Sequence, residues 1–485
     1  MVSFLISIAI LVLGYFIHGK FVEGVFGINK DRETPAIRLR DDVDYIPLPT
    51  WRIFLIQFLN IAGLGPIFGA IAGAMFGPSA FLWIVLGSIF AGGVHDYFSG
   101  MLSLRHDGLS ISEVVGVYLG PKMKHFMRLF TIILLIFVGT VFLMGPAKII
   151  DEMTGDIWNL WVWVGIILLY YILSTLLPIN KMISKIYPVF GLAMLLMAIG
   201  LLFALFFGDY HIPELIPDNL RNMSKHPNET PLFPILFVTI ACGAISGFHA
   251  TQSPLMARCM KNETLGRKIF YGTMITEGIV ALIWAAAAMT FFGNVDLLND
   301  AMLANNSNAA WAANEISTSM LGKFGGLLAL LGIVAAPITS GDTAFRSARL
   351  ILADVFKTDQ TKIKNRLLLS IPLFMVAFIL TQVDFGIIWR YFAWSNQTLA
   401  TVVLWTITAY LTYTKKFYWI TLIPSIFMTM VCSTYILIAP EGFGLANTIS
   451  YVLGGIITVI ICLIFFLFIM KKQKNYQISD ANTII

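Results

Sequence analysis

Four ionisable residues lie inside apolar stretches of this 485-residue chain and could bind protons within a membrane. They are His95, Asp96, His249 and Glu277. Ionisable side chains are costly in hydrocarbon, so each of the four is a functional candidate by default. Histidine has an ordinary pKa of about 6.5 and changes charge around neutral pH. The structural alternative is that these residues form ion pairs or hydrogen bonds that only fix helix packing.

Two apolar segments of membrane length are interrupted near their middles, by Asn60-Ile-Ala-Gly-Leu-Gly-Pro66 and by Cys242-Gly-Ala-Ile-Ser-Gly-Phe-His249. A helix broken in the bilayer frees backbone groups that protein, an ion or a ligand must satisfy. Freed N–H groups at a half-helix start could hold a carboxylate. Small residues could instead serve only close helix packing. The predicted substrate-binding residues are Asn60, Gly63, Gly65, Ser246, Gly247 and His249.

A third candidate position is Asp342, which precedes Arg346 and Arg349 by one and two helical turns. Asp342 could be a helix N-cap within an interfacial cluster of ion pairs. Equally, it could gate the inner mouth of a transport path. Both interpretations stay open from the sequence.

The amino-acid composition indicates the kind of structure that must position these residues. The chain is 58% apolar and only 12% charged, with a mean hydropathy of +0.81. A water-soluble domain of this size could not cover so much apolar surface. We predict an all-α polytopic membrane protein with about 13 transmembrane helices of about 20 residues each. The predicted spans are 1–17, 51–76, 78–103, 126–146, 158–178, 186–208, 231–252, 269–292, 320–339, 367–384, 388–411, 418–438 and 446–470.

The distribution of basic residues predicts the orientation. Lys and Arg are retained on the cytoplasmic side during insertion. Most of the 32 Lys and Arg residues fall in alternate loops that would share one side. The exceptions are Lys148, Arg221, Lys225, Lys323 and Arg390. We therefore predict a cytoplasmic (inner) membrane protein with its N-terminus outside, one transporter domain over 1–470 and a cytoplasmic tail over 471–485.

The predicted spans divide into two sets of five, at 51–208 and 231–411. Accessory helices at 1–18, 418–438 and 446–470 remain. Each set opens with a broken helix. The first enters from the cytoplasm and the second from outside, as an inverted repeat requires.

This five-plus-five scheme resembles the LeuT-like amino acid–polyamine–organocation superfamily, whose first and sixth core helices are unwound around substrate. A sodium site in that superfamily commonly lies between the first core helix and Ser or Thr on the eighth. The resemblance implies Thr339 and Ser340 as ion ligands here.

Five motifs, taken in order, resemble those of the carbon starvation protein A family over residues 1–470. They are Gly63-Leu-Gly-Pro66, the segment from Trp83 to Tyr97, Ser110-Ile-Ser-Glu113, the segment from Cys242 to Ala250, and Gly341-Asp-Thr-Ala-Phe-Arg346. The resemblance implies uptake of peptides, or of pyruvate with protons, and a link to the response to carbon starvation.

We therefore expect a secondary active transporter that imports peptides or a small carboxylate such as pyruvate by cation symport. Its expected partners are the substrate, a coupling cation and the bilayer, with no cofactor and no nucleic acid. The coupling ion stays open at this point. Thr339 and Ser340 favour Na⁺, whereas His95, His249 and Glu277 favour H⁺, with Asp96 and Asp342 as further candidates.

An integral membrane enzyme and a membrane nutrient sensor are the two alternatives to a transporter. The His95-Asp96 dyad is typical of metal phosphohydrolases, but it supplies too few ligands, and no other His or carboxylate is expected to cluster with it. The four cysteines are far apart and lack metal-ligand spacing, so we expect no metal site. A transporter-like nutrient sensor would need a separate signalling partner. Nothing resembles an ATP-binding motif.

Overall fold

A computed structural model describes residues 1–41, 44–155, 158–176, 179–360 and 362–473 of the chain. Every regular element in these ranges is helical. The predicted all-α class is confirmed. Most of the predicted tail, at 474–485, lies outside the described residues.

The helices of the first half carry the first break and the His95-Asp96 dyad. Numbered in chain order, they are α1 (Val2–Phe16), α2 (His18–Phe26), α3 (Pro35–Arg38), α4 (Thr50–Ala62), α5 (Ala70–Ala74), α6 (Ser79–Leu86), α7 (Gly93–Arg105), α8 (Ile111–Leu119), α9 (Pro121–Thr154), α10 (Leu160–Leu176) and α11 (Ile179–Phe207).

The helices of the second half carry the second break, Glu277 and Asp342. They are α12 (Leu232–Thr239), α13 (Gly247–Ala257), α14 (Gly272–Phe291), α15 (Val295–Ala304), α16 (Ala309–Ala329), α17 (Ala336–Phe356), α18 (Ile363–Leu380), α19 (Phe385–Tyr413), α20 (Trp419–Ile438), α21 (Asn447–Ile464) and α22 (Met470–Gln473). Wider π-helical turns extend several of them, at Gly65–Gly69, Gly87–Gly92, Arg267–Tyr271, Leu330–Ala335 and Phe465–Ile469.

Within the described ranges, nine continuous helical stretches are long and apolar enough to cross a membrane. They are Val2–Phe26, Ser79–Arg105, Pro121–Thr154, Tyr187–Phe207, Glu263–Phe291, Gly325–Phe356, Ile363–Leu380, Trp419–Ile438 and Asn447–Ile469. The helices Thr50–Ala62 and Gly65–Ala74 meet at a bend of 52°, and they add a tenth stretch if the pair crosses the membrane as one span. The chain is therefore polytopic, whereas the count of 13 spans and the inverted repeat stay predictions.

Burial separates central from peripheral helices. In the most apolar part of Ser79–Arg105, and likewise of Glu263–Phe291, 83% of the residues are buried inside the protein. The corresponding part of Asn447–Ile469 is only 17% buried, and its exposed side chains are apolar. Such a helix is suited to contact with lipid. The ionisable residues of the central stretches consequently lie deep inside the protein.

One predicted boundary is wrong. The span predicted at 320–339 lies instead within Gly325–Phe356, so α17 continues well past residue 339. Asp342 is therefore inside a helix and is not an N-cap. The helix continues because Asp342, Arg346 and Arg349 are buried and bonded to neighbouring helices, so their polarity does not mark an aqueous loop.

The two broken segments touch each other at the centre of the fold. Gly63, which follows α4, has φ +41°, a conformation that strains residues with a side chain. A Cβ atom on Gly65 would overlap the Cβ of Cys242, so only glycine permits this approach. The glycines of the first break thus allow the chain to turn and to contact the second break.

Candidate functional site

Asp96 lies between two histidines at the centre of the protein. On α7, Asp96 Oδ1 is 2.7 Å from His95 Nδ1. Its other oxygen, Oδ2, is 2.7 Å from Nδ1 of His249 on α13. All three side chains are fully buried. One carboxylate therefore orients both imidazoles and links two helices.

Glu277 extends this cluster onto a third helix, α14. Its Oε2 atom is 3.4 Å from Nε2 of His249. Glu277 is fully buried, and neither of its carboxyl oxygens accepts a hydrogen bond among the described residues. His249 therefore has an acid on each side of its ring. We call His95, Asp96, His249 and Glu277 the central cluster.

Polar side chains from neighbouring helices brace the second break. Trp83 Nε1 donates to the carbonyl oxygen of Ile240 at 2.9 Å, and Ser88 Oγ donates to that of Gly243 at 2.8 Å. At the start of α13, the N–H of Phe248 donates to Asn396 Oδ1 at 2.7 Å. Backbone groups freed in a membrane require such partners. These bonds anchor the second break to α6, to the π-helical turn after α6 and to α19.

Ser246 and Gly247, both predicted to bind substrate, lie against α19. Ser246 Oγ is 3.1 Å from Asn396 Oδ1, and Asn396 Nδ2 donates to Ser246 Oγ at 3.0 Å. Cys242 Sγ donates to Ser246 Oγ at 3.5 Å. Gly247 approaches the backbone of Asn396 closely. The hydroxyl of Ser246 is thus engaged with the protein in this conformation.

The first break has fewer bonds to its surroundings. Ser340 Oγ, on α17, donates to the carbonyl oxygen of Leu59 at 3.0 Å. The Asn60 side chain is fully buried, and neither its nitrogen nor its oxygen has a partner among the described residues. Gly63 packs against the ring of Phe142. The Asn60 amide is therefore an unsatisfied polar group beside the first break.

The predicted sodium ligands, Thr339 and Ser340, both donate hydrogen bonds to backbone carbonyl oxygens. Thr339 Oγ1 donates to the carbonyl oxygen of Ala336 at 2.6 Å. Ser340 contacts α4, as the superfamily resemblance implies, but it does so by donating to a carbonyl oxygen. Both hydroxyl protons are therefore used in bonds between or within helices.

Asp342 belongs to a different buried cluster. Its Oδ2 atom accepts a hydrogen bond from Tyr187 OH at 2.9 Å and lies 3.8 Å from a guanidinium nitrogen of Arg346. Arg346 also donates to the carbonyl oxygen of Ser174 at 3.3 Å, and Arg349 donates to that of Thr175 at the same distance. Guanidinium groups near the last carbonyls of α10 complement the helix dipole. We call Asp342, Tyr187 and Arg346 the α17 cluster.

The expectation that no other His or carboxylate joins the His95-Asp96 dyad is wrong. His249 and Glu277 do join it, because the broken helix α13 and helix α14 converge on α7. In the described part of the chain, one set of three potential metal-ligand atoms lies within 4.8 Å, from Cys242, His249 and Glu277. The Cys242 sulfur of this set also lies 3.5 Å from Ser246 Oγ.

Two buried amide side chains are not identified from the sequence, one that contacts the second break and one that precedes Asn60 on α4. Asn396 braces the second break, and its signal was an Asn396-Gln397 pair within an otherwise apolar helix. Gln57 is buried like Asn60 and lies one helical turn before it. The spacing of three residues could have placed Gln57 on the same helix face.

The chain is thus an all-helical, polytopic membrane protein with a buried ionisable cluster beside two touching helix breaks. The family model for "Carbon starvation protein CstA" matches residues 1–199 and 157–386. These matches cover most of the chain, and the chain belongs to this family.

Named relatives agree with the transporter class. The "Peptide transporter CstA" of Bacillus subtilis is 25% identical, with 97% of this chain and 96% of the relative aligned. The "Pyruvate/proton symporter BtsT" of Escherichia coli is 26% identical over 58% of this chain and 48% of its own length. An uncharacterized membrane protein of Haemophilus influenzae is 42% identical over 63% of this chain and 95% of its own. The first two names describe transporters, which agrees with the prediction that this chain is not an enzyme.

A solved structure supports the fold. A mutant of the manganese transporter of Eremococcus coleocola aligns with 92% of this chain and 99% of its own at a TM-score of 0.52. The two sequences are 13% identical, so the likeness concerns the fold alone.

Proposed function

We propose that this protein imports a small carboxylate or a peptide by proton symport, with the central cluster carrying the proton. The observation that carries the proposal is the position of Glu277. This buried acid contacts only one side of His249, whose other side is bonded to Asp96. Titratable groups on three packed helices thus adjoin one break, with Cys242 and His95 as the remaining titratable neighbours.

The charges of the central cluster explain why a proton would travel with substrate. A protonated His249 balances Asp96, which leaves the Glu277 carboxylate as the one uncompensated charge. Proton binding to Glu277 would make the cluster neutral and remove the cost of a charge buried in hydrocarbon. Conformational change would then be easier with the proton bound, which is the requirement for symport.

Substrate would bind between the two breaks, near Asn60, Gly63 and Gly65 on one side and Ser246, Gly247 and His249 on the other. Freed backbone N–H groups and helix starts would receive its carboxylate. Two inverted five-helix repeats, 51–208 and 231–411, would alternate access to this site from outside and from the cytoplasm. The protein would lie in the inner membrane with its N-terminus outside.

Two relatives support this assignment through their printed names. The pyruvate/proton symporter joins a small carboxylate to proton coupling, and the peptide transporters share the family. Sodium coupling is the alternative that the superfamily resemblance implies for Thr339 and Ser340. Their hydroxyl protons are donated to carbonyl oxygens, which leaves the oxygen lone pairs able to ligate a cation. The preference for the proton therefore rests on the buried acid of the central cluster.

The test is uptake of labelled pyruvate and labelled dialanine into liposomes that contain the purified protein. A proton gradient and a sodium gradient are imposed separately. We expect concentrative uptake of at least one compound with the proton gradient and none with the sodium gradient. Ser340→Ala is the control and should leave proton-driven uptake intact. Uptake driven by sodium alone, or no uptake with either gradient, would contradict the proposal.

A further inference from the structure

Two side-chain amides on α4 are buried without hydrogen-bond partners. Gln57 and Asn60 are both fully buried, and neither the nitrogen nor the oxygen of either amide has a partner among the described residues. The two residues are three positions apart on one helix, so they project from the same face. Residues 57 and 60 therefore present an unsatisfied polar face at the end of α4 that precedes the first break.

Other buried amides in the described part of the chain differ from this pair. In each of them the side-chain nitrogen donates a hydrogen bond, to a neighbouring side chain or to a backbone carbonyl. They are Gln252, Asn299, Asn396 and Gln397. Unpaired oxygens occur in this second group too, at Gln252, Asn299 and Gln397. Among the fully buried amides of the described residues, only Gln57 and Asn60 on α4 lack a bond at the nitrogen as well as at the oxygen.

Gln252 adds a free acceptor on the helix that faces α4. Helix α13 packs against α4, and Gln252 follows His249 by three positions on α13. The Gln252 nitrogen donates to Thr251 Oγ1 at 2.8 Å, whereas its Oε1 atom is buried without a partner. Unsatisfied amide groups thus occur on both helices, and on α13 the Gln252 oxygen lies one turn from His249, the neighbour of the proposed proton-binding residue Glu277.

Burying an amide without a partner is destabilising, and hydrocarbon offers no water to replace one. Each such group in a folded protein requires an explanation. A ligand that completes the missing bonds is the explanation that also fits the position beside the breaks. The chemistry of the amides then specifies the ligand group.

A carboxamide presents both N–H donors and a carbonyl acceptor, whereas an ionised carboxylate only accepts. A carboxylate would satisfy the nitrogens of Gln57 and Asn60 and leave their oxygens, and that of Gln252, unpaired. A neutral amide group carries a donor and an acceptor side by side and can satisfy both kinds of atom. We propose that Gln57, Asn60 and Gln252 form a subsite for a neutral amide group, such as a peptide bond, of the transported molecule.

This amide subsite rests on the proposed transport function and assigns substrate binding and proton binding to different residues. The α4 and α13 amides hold a neutral part of the substrate by hydrogen bonds. The central cluster holds the proton. Gln252 would then bind substrate one turn along α13 from His249, whose Nε2 lies 3.4 Å from Glu277, the proposed proton-binding group. Symport requires the substrate and proton sites to interact.

The test is equilibrium binding of radiolabelled dialanine to the purified full-length protein in detergent, without any gradient. Gln57→Leu and Asn60→Leu replace each amide by an apolar side chain of similar size. We expect the dissociation constant for dialanine to rise at least about tenfold in each variant, since two hydrogen bonds are lost. Thermal stability without ligand should be unchanged or higher, because no unpaired polar atom remains. Gln57→Met provides a flexible replacement if leucine at 57 lowers the yield of folded protein.

The control is Asn299→Leu. Asn299 is also buried, but its nitrogen donates to the carbonyl oxygens of Met75 and Val295. This variant should lose thermal stability and keep the wild-type affinity for dialanine. Weaker dialanine binding with no loss of thermal stability at positions 57 and 60 would distinguish a ligand subsite from a structural role.

Two results would overturn the amide subsite: wild-type protein that does not bind dialanine, or an unchanged dissociation constant in both leucine variants. The failure of the proposed function has a different signature. Wild-type protein that binds dialanine through Gln57 and Asn60, but accumulates neither dialanine nor pyruvate with a proton gradient, would overturn symport and support the subsite.

Discussion

Asp96 and Asp342 are both buried carboxylates on central helices, but their partners differ. Asp96 accepts from two imidazoles, and one of these lies beside a second acid, Glu277. Asp342 accepts from a phenol and lies 3.8 Å from a guanidinium. Histidine exchanges its proton around neutral pH, whereas arginine stays charged in proteins. The central cluster can therefore change its charge during a cycle, and the α17 cluster keeps its charge.

The sequence alone groups Asp96 with Asp342 as candidate ion-coupling residues, but their hydrogen-bond partners differ. Asp96 and Asp342 are both predicted to couple ions, because each is an acid in a membrane segment. From their different neighbours we propose ion coupling for Asp96 and helix anchoring for Asp342. Substitutions in the two clusters should accordingly affect different measurements.

The largest expected effect is that of Glu277→Gln. This change keeps the side-chain shape and removes the group that we propose to bind the proton. We expect proton-driven accumulation to fall about 100-fold, as for loss of a positioned acid or base. Exchange of labelled for unlabelled substrate at equal pH should persist, because it requires no net proton movement. Glu229→Gln, at an exposed loop position, is the matched control. Accumulation at the wild-type level by Glu277→Gln would remove Glu277 from the mechanism.

Asp96→Asn should have the next largest effect. Asparagine cannot accept at both oxygens, so His249 loses the fixed orientation that its bond to Asp96 Oδ2 provides. We expect initial uptake to fall about 10- to 100-fold, as when carboxylates that orient histidines are removed. The measurement is the initial rate of uptake at saturating substrate. A rate equal to that of wild type would show that the bond is only structural.

Asp342→Asn is the matched change in the α17 cluster. It leaves the buried Arg346 without its nearby carboxylate, so the free energy of unfolding should fall by about 1–3 kcal/mol. Uptake per folded molecule should stay close to that of wild type. Unfolding in mixed micelles and liposome uptake measure the two quantities. Loss of proton coupling with intact stability would reverse the contrast between the two acids.

The smallest effect is expected from Tyr187→Phe. It removes the phenol that donates to Asp342 Oδ2 and to the carbonyl oxygen of Thr339. We expect a loss of about 1 kcal/mol in the free energy of unfolding, the usual net worth of a hydrogen bond. Proton-driven uptake should not change. A strong dependence of uptake on this phenol would indicate that the α17 cluster also takes part in transport.

Much of the fold could be predicted from composition and periodicity. Long apolar segments and the positions of glycine and proline indicated helices, and the segment 50–74 is bent where Gly63, Gly65 and Pro66 lie. The predicted span ends at residue 339, before α17 does, because the charged residues Asp342, Arg346 and Arg349 lower the hydropathy of the segment that follows. Polar residues that find partners inside the protein cannot be distinguished from exposed ones by hydropathy.

The candidate site was predictable in its members but not in its contacts. His95, Asp96, His249 and Glu277 were each identified as unusual in a membrane. The sequence gives no distance between residues 96, 249 and 277, since that distance depends on how three helices pack. Gln57 and Asn396 were missed because single amides in apolar helices carry little signal without knowledge of their partners.

The most direct test of proton symport through Glu277 is the pH inside liposomes when substrate is added outside. A trapped fluorescent pH indicator reports the change with no gradient imposed beforehand. The account predicts that pyruvate or dialanine acidifies the lumen of liposomes with wild-type protein. Liposomes with Glu277→Gln should show no acidification, although labelled substrate still exchanges across them. Substrate entry without acidification by wild-type protein, or equal acidification by both proteins, would contradict it.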